Sequence, residues 1–275
     1  MTRIWLCADD YGISPSVNAA IRDLVVRGRL NATSVMVVAP SFHRGEALAL
    51  QALNAKTQRV AIGLHVTLTA PFRPLSDGFR PRRDGAFLPL GTLLLRAGLR
   101  SLEPDALVTE ITRQVRVFAE HFGRPPDFID GHQHVQLFPQ VRDALLAVAR
   151  REAPAAWVRQ CGRVTPVHHA LNDRKGLLLD LLSRGFRRRA AELGVRTNPA
   201  FAGTYTFRDQ ADFSARFPHF LDALPDGSVV MCHPGFVDSE LQKLDPLTTL
   251  REQEYAFFVQ DTFPGLLAHH GVALA

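Results

Sequence analysis

The sequence predicts an α/β fold built on parallel strands, either a (β/α) barrel or a doubly wound sheet. The first observation is that short apolar runs, typical of buried strands, alternate with stretches of helical hydrophobic spacing along the 275 residues. The second is that four of these apolar runs end in a carboxylate or an imidazole. That pattern is expected where the carboxyl ends of barrel strands face one mouth, which in such barrels holds the active site.

The polar strand ends contain residue types that bind metals or transfer protons. The four runs and their ends are residues 4–8 with Asp9 and Asp10, residues 61–64 with His65, residues 128–129 with Asp130, His132 and His134, and residues 229–232 with His233. Two adjacent carboxylates repel each other unless a cation lies between them or one holds a proton. The pair at the first strand end therefore points to a metal site.

The first half of the chain contains clear helix and strand signals. Ser14 and Pro15 predict a helix start, and Gly28 predicts its end. Further strands are predicted over 34–39 and 60–68, with a helix over 46–53. In residues 69–102 prolines and glycines alternate with arginines, which predicts a functional loop or lid directly after the strand that carries His65.

Regular structure is predicted to resume at residue 103. Helices are expected over 104–122, from 139, over 177–193, over 213–224 and over most of 245–262. Strands are expected over 128–131, 155–159, 228–232 and 272–274, with a loop over 164–172 and an irregular stretch over 200–207. The chain shows no repeat or linker, so we expect a single domain over residues 1–275 with a lid insertion at 69–102.

Composition narrows the class of protein. The formal charge is +5, and the densest arginine cluster lies in residues 184–189. A solvated helix face is favoured there over a nucleic-acid patch, because Phe186 is the one interleaved aromatic. Three widely spaced cysteines do not form a disulfide framework. With neither a signal peptide nor a membrane-spanning run, we expect a cytoplasmic protein.

The strand-end residues together suit a hydrolytic metal site. Such a site needs about three protein ligands and open positions for water and substrate. Asp10, His65 and His132 would supply one carboxylate and two imidazoles, Asp9 would act as general base, and His233 would act as general acid. This donor set suits zinc, cobalt or iron at least as well as magnesium.

Neighbouring residues have supporting roles in this hypothesis. Asp130 is expected to orient His132, and His134 is expected to contact substrate or support a ligand. Arg159 either clamps Asp9 in its ionised form or belongs to a buried structural ion pair. Taken alone, the Asp-Asp-x-Gly run is often a turn and His65 is often a packed core histidine. The argument for function therefore depends on the whole set.

These motifs resemble the YdjC-like carbohydrate deacetylases, which include chitooligosaccharide and hopanoid-biosynthesis-associated deacetylases. The matching segments, in the family's order, are residues 8–12, 62–65, 129–134 and 231–235. The resemblance implies an irregular (β/α) TIM-like barrel of the polysaccharide-deacetylase type. It also implies one divalent metal ion, usually described as magnesium, with zinc as our alternative. The implied reaction is hydrolysis of an N-acetyl group from an amino sugar, in an oligosaccharide or a glycolipid, with release of acetate.

The resemblance also implies roles for single residues. By motif, Asp9 corresponds to the base and His233 to the acid, with the three ligands given above, and Thr33-Ser34 matches a small polar pair of the family. Tyr205 and Phe236 are predicted to stack on a sugar ring. Gln133 and Gln136 stand where relatives often carry histidines, and residues 160–200 match no family feature, so the substrate stays open.

Two other functions fit the same residues. One is a different metal-dependent barrel hydrolase, acting on a phosphoester or a cyclic amide. The other is a non-enzymatic module that binds an anion through the arginine cluster. The expected partner is a small amino-sugar substrate and not nucleic acid, and the sequence leaves a homodimer open.

Overall fold

The computed structural model describes residues 1–57, 59–164, 174–205 and 212–275. The strands are β1 (Thr2–Tyr11), β2 (Ala32–Val35), β3 (Ala61–Val66), β4 (Phe128–Gly131), β5 (Trp157–Val158), β6 (Phe201–Ala202), β7 (Ser228–Cys232) and β8 (Val272–Leu274). The helices are α1 (Pro15–Val26), α2 (Arg44–Ala52), α3 (Leu90–Gly98), α4 (Pro104–Phe122), α5 (Pro139–Glu152), α6 (Arg174–Glu192), α7 (Phe213–Phe220), α8 (Leu241–Leu244), α9 (Thr249–Phe258) and α10 (Phe263–His269). A 3-10 helix covers His132–Leu137.

Among the described residues, the strands form one sheet in the order β5-β4-β3-β2-β1-β7-β6, with β8 beside β1. The strand pairs are parallel, as the alternation of strands and helices predicts. By internal packing the chain divides into two compact units, residues 1–35, 40–62 and 198–275, and residues 36–39 and 63–197. The expectation of one domain over the whole chain stays a prediction.

The first unit is built on β1, which pairs with β2, β7 and β8. Ile4 and Leu6 are fully buried, and the Asn31 side chain bonds to the backbone of both, accepting from Leu6 N at 2.8 Å and donating to Ile4 O at 2.9 Å. The helix start predicted at Ser14 is confirmed, because its hydroxyl accepts the Val17 N–H at 3.3 Å. These contacts fix the strand that carries the two adjacent carboxylates.

Aromatic packing buries the helices that follow β6 and β7. Phe213 and Phe217 of α7 meet Phe258 of α9 at ring-centroid distances of 5.6 and 5.2 Å, and Phe263 of α10 lies 5.2 Å from Phe258. Edge-to-face aromatic pairs of this kind stabilise a core beyond the area they bury. The cluster holds α9, the helix that supplies two charged residues to the candidate site.

A glycine allows β6 to lie close against β7. Gly203 has a φ of +101°, and a Cβ at this position would collide with the backbone of Met231. We expect Gly203→Ala to lower the free energy of unfolding by about 3 kcal/mol, because the strained dihedral and the collision add. Denaturant unfolding of the two proteins measures this difference.

Gly265 provides the matched control, because it lies in α10 without a positive φ, and a Cβ added there would meet nothing within 4 Å. There Gly265→Ala should raise the free energy of unfolding by roughly 0.5–1 kcal/mol, since alanine favours a helix over glycine. Equal effects of the two substitutions would contradict this account of Gly203.

The second unit is built on β3, β4 and β5. Phe128 of β4 stacks on Trp157 of β5 at 4.5 Å, and a side chain at Gly63 of β3 would collide with the Phe128 ring. α4 has the predicted bounds and ends at Gly123, whose φ is +66°. Five apolar residues with helical spacing on α4 are all buried, namely Leu107, Ile111, Val115, Phe118 and Phe122.

Several predicted elements differ from the structure. The helix predicted over 213–224 ends at Phe220, and the strand predicted over 155–159 covers only Trp157–Val158. The strand expected over 34–39 ends at Val35. The segment 69–102 contains α3, which buries Leu93 and Ala97; Gly91 and Gly98 lower the helix propensity there and obscured it. Within 200–207, the short strand β6 covers two residues, and 206–207 lie outside the described residues, as does most of the loop predicted over 164–172. None of the described helices is both long and apolar enough to cross a membrane.

Candidate active site

The end of β1 departs from regular strand geometry at the two adjacent carboxylates. Asp10 has a φ of +69°, and the pairing of β1 with β2 shifts register between Ala8 and Tyr11. Aspartate is among the residues that most often adopt this left-handed conformation. Such an irregularity breaks the strict alternation of side chains along a strand. Asp9 and Asp10 are both buried, at 2% and 1% exposure.

Asp9 lies among small polar groups. Its Oδ1 accepts from Ser34 Oγ at 3.3 Å and from Cys7 Sγ at 3.6 Å. Thr33 Oγ1 donates to the Ala8 carbonyl at 2.8 Å. The polar pair Thr33-Ser34 therefore fixes the backbone and the carboxylate at this strand end.

Asp10 is held by a fully buried arginine of α9. Arg251 Nη2 lies 2.6 Å from Asp10 Oδ2 and 2.7 Å from Asp245 Oδ2, and Arg251 Nε donates to the Leu247 carbonyl at 2.9 Å. A buried arginine in contact with two carboxylates holds both in fixed positions. The contact with Arg251 engages Oδ2 of Asp10.

His233 follows β7, and its backbone contacts Glu254, the second buried ionisable residue of α9. The His233 backbone N–H donates to Glu254 Oε2 at 2.5 Å, and the Tyr205 hydroxyl donates to Glu254 Oε1 at 2.6 Å. Burial raises the pKa of Glu254 to about 7. Burial lowers the pKa of the His233 imidazole to about 4, although the charge of Asp10 opposes that shift. The imidazole is therefore neutral at neutral pH.

The raised pKa of Glu254 predicts a pH-dependent stability. Its carboxyl group has an ordinary pKa of 4.5 and a folded pKa of about 7, so the folded state binds more protons between these values. The stabilisation is complete below pH 4.5 and is lost as the pH rises through 7. From about pH 5 to about pH 8, the wild type should lose about 2.5 kcal/mol more free energy of unfolding than Glu254→Gln, which has no proton to release. Urea unfolding at both pH values measures this, and equal losses would contradict it.

In the second unit, a carboxylate joins the His65 ring to an arginine. His65 Nδ1 lies 2.6 Å from Asp130 Oδ1, and Arg159 Nη2 lies 2.6 Å from Asp130 Oδ2. All three side chains are almost fully buried. Because Nδ1 is engaged, Nε2 is the ring nitrogen that can bind a metal. The prediction that Asp130 orients His132 is wrong, since the carboxylate bonds to His65 instead.

The 3-10 helix after β4 carries the other two histidines. Gln133 and His134 have φ values of 55° and 61°, in the left-handed region. The His132 ring lies 5.5 Å from the His65 ring and 5.7 Å from the Phe72 ring. His134 Nδ1 lies 3.5 Å from Cys161 Sγ. The tight turn thus brings His132 to the His65 ring and His134 to a buried thiol.

Two groups of three buried side chains in the described part of the chain could hold a metal ion. One is the predicted ligand set Asp10, His65 and His132, whose ligand atoms lie within 4.8 Å of one another, and the other is Cys7, Asp9 and Asp130. A buried carboxylate with two imidazoles is a common donor set for divalent metals.

The remaining predicted residues have varied surroundings. Tyr205 is 7% exposed and packs against Phe213, so the prediction that it stacks on a sugar is wrong; it supports Glu254 instead. Phe236 is 38% exposed beside Tyr255, and its stacking role stays a prediction. The clamp of Asp9 by Arg159 also stays a prediction. In the cluster 184–189, Arg188 and Arg189 bond to Glu192, as expected of a solvated helix face.

The sequence interpretation missed Arg251 and Glu254. Both lie on α9 and are fully buried, on a helix that also buries Leu250 and Phe258. A charged residue inside the apolar stripe of an amphipathic helix is rarely buried unless it is paired. A charged residue at a position that helical spacing assigns to the buried face is the signal that would have identified them.

Comparison with known proteins places this chain in a family. The model of the YdjC-like protein family matches residues 3–269. A chitooligosaccharide deacetylase of Yersinia pestis (strain Pestoides F) is 27% identical over 97% of this chain and 94% of its own length, and one of Yersinia pseudotuberculosis serotype O:3 (strain YPIII) matches equally.

Solved structures confirm the predicted barrel-type fold. A protein from Enterococcus faecalis V583, whose structure is named for cellobiose-phosphate cleavage, aligns with a TM-score of 0.76 at 21% identity, covering 100% of this chain and 97% of that one. A lactam utilization protein from Thermus thermophilus aligns with a TM-score of 0.54 at 14% identity, covering 99% and 98%. On the extent of the family match, this chain belongs to the YdjC-like family.

Proposed function

We propose that the protein is a metal-dependent hydrolase that removes an N-acetyl group from an amino sugar and releases acetate. The observation that carries the proposal is the buried ligand set Asp10, His65 and His132. Asp9 is the neighbour of Asp10 in the chain, and the name of the Yersinia deacetylases supports a carbohydrate amide as the substrate. The amino sugar is a small-molecule substrate, in an oligosaccharide or a glycolipid.

One divalent ion is the cofactor in this proposal. Asp10 would give a carboxylate oxygen, and Arg251, bonded to its Oδ2, would hold the carboxylate in place. His65 would give Nε2, because Asp130 engages Nδ1. Such an ion, when bound, polarises the amide carbonyl and makes a bound water more acidic. Magnesium is favoured by the family and zinc by the two nitrogen donors.

Asp9 and His233 would then carry out the proton transfers. Asp9 accepts a proton from the attacking water, and the Ser34 and Cys7 contacts hold its carboxylate in place. His233, neutral at neutral pH, first donates a hydrogen bond to the developing oxyanion. Once it has gained the proton that the base removed, it protonates the leaving amine. The oxygen of the water thereby ends in acetate, and the proton that the base removed ends on the amine product.

Acetate assay with defined substrates tests the proposal. Purified protein, stripped of metal and reloaded with magnesium or zinc, is incubated with diacetylchitobiose and with longer N-acetylglucosamine oligomers. We expect acetate release that needs added metal and that stops with a chelator. No acetate from any of these oligomers would reject the oligosaccharide substrates, and a panel of phosphoesters and cyclic amides would then identify a different hydrolase.

A further inference from the structure

The segment 69–102, termed here the arginine segment, has a strong excess of positive charge. It contains six arginines and two aspartates and no other charged residue, whereas the whole chain has a formal charge of +5. All six arginines are exposed. In the cluster 184–189, by comparison, Arg188 and Arg189 are bonded to Glu192.

The same segment exposes a ridge of leucines on α3. Leu95 and Leu99 lie four residues apart, on the same side of the helix, and are 62% and 69% exposed. Leu93 and Ala97 on the opposite side are buried. Arg96 and Arg100 adjoin the exposed leucines and are exposed themselves. α3 thus has an apolar inner face and a second apolar ridge that faces outward between cations.

The arginine segment is a fixed part of the structure. The loop before α3 is closed by two backbone hydrogen bonds, from the Ala70 N–H to the Leu88 carbonyl at 3.1 Å and from the Phe87 N–H to the Phe72 carbonyl at 2.9 Å. The buried Glu110 of α4 accepts the backbone N–H of Ser76 at 2.8 Å. The leucine ridge is therefore displayed on a preformed surface and needs no folding step to become exposed.

We propose that the outer face of α3, with the arginines around it, docks on the surface of an anionic lipid bilayer. Exposed leucines beside arginines are the combination by which helices lie in a membrane interface, with the leucines among the acyl chains and the cations at the headgroups. Anionic headgroups match the charge of the segment. A second copy of the chain fits this face less well, because two such segments would bring like charges together.

The docking surface is connected to the candidate active site within the second unit. The arginine segment follows β3, which carries His65, and its Phe72 ring contacts the His132 ring. Docking would therefore bring the bilayer to the same loop that borders a candidate ligand. The proposal concerns binding alone and does not depend on the reaction proposed above.

Sedimentation with vesicles tests the docking surface. The full chain is mixed with vesicles of phosphatidylcholine, with or without about 30% phosphatidylglycerol to supply an anionic surface charge, and the bound fraction is measured after centrifugation. We expect binding to the anionic vesicles, weakened by salt. The double variant Leu95→Gln/Leu99→Gln should bind about 10-fold more weakly. The double variant Arg96→Gln/Arg100→Gln should bind anionic vesicles more weakly, with no change toward vesicles of phosphatidylcholine alone.

A matched control separates docking from general effects of surface leucines. Leu48 of α2 is 50% exposed and lies outside the segment, so Leu48→Gln should bind vesicles like the wild type. Unchanged binding by the Leu95/Leu99 variant would overturn the proposal. So would a dimer, seen by sedimentation equilibrium without lipid, that the same variant dissociates, or binding to heparin with none to vesicles.

Discussion

Replacing Asp9 with asparagine is expected to lower the kcat for acetate release by roughly 1000-fold, within the range found when a general base is removed. The substitution keeps the size of the side chain and its contact with Ser34 Oγ, but the amide cannot accept a proton from water. Since Asp9 is not one of the three proposed ligands, metal binding should persist. Steady-state kinetics with diacetylchitobiose, with metal affinity from calorimetry, measures both effects.

Ser34→Ala is the matched control for this substitution. It removes the hydroxyl that contacts Asp9 and leaves the carboxylate, so we expect a loss of roughly 10-fold or less. An Asp9→Asn protein that retains most of its activity would show that another group is the base. Loss of metal binding in that variant would show that Asp9 is a ligand.

Replacing Asp130 with asparagine is expected to have the largest effect on stability. Arg159 and Asp130 are fully buried and 2.6 Å apart, and His65 shares the same carboxylate. The variant leaves a buried guanidinium without its counter-charge, which typically costs about 3–5 kcal/mol. The His65 ring also loses its charged partner, so metal affinity should fall by roughly 10- to 100-fold. Denaturant unfolding and calorimetric metal titration measure the two losses.

Asp127 offers an aspartate–arginine pair near the surface for comparison. It bonds to Arg124 at 2.7 and 3.0 Å, and both side chains are partly exposed. Asp127→Asn should therefore cost less than about 1 kcal/mol and leave metal affinity unchanged. If both aspartate variants had the same small effect, the buried pair would not have the role assigned to it.

The elements that sequence reasoning predicted well are those with strong local signals. α1 has a capping serine followed by a proline, and α4 has an apolar stripe that ends at a glycine. β4 and β7 are apolar runs that stop at polar residues, and their bounds match the prediction. In each case the local pattern and the tertiary packing favour the same structure.

The misses arise from contacts between residues far apart in sequence. Nothing near Asp130 indicates that its partner is His65, which lies 65 positions earlier. Tyr205 is an aromatic residue of the kind that stacks on sugar rings, but its hydroxyl bonds to Glu254, which lies 49 residues later in the chain. α3 was missed because its glycines weaken the local helix signal, while burial of Leu93 supplies the missing stability.

Metal titration of the protein and its ligand variants tests the central claim most directly. Calorimetry with zinc and with magnesium should give one ion per chain for the wild type. His132→Ala should lose that binding, whereas His121→Ala, a substitution on α4 outside the proposed ligand set, should bind like the wild type. One tightly bound ion in His132→Ala, with unchanged affinity, would contradict the assignment of Asp10, His65 and His132 as the metal ligands.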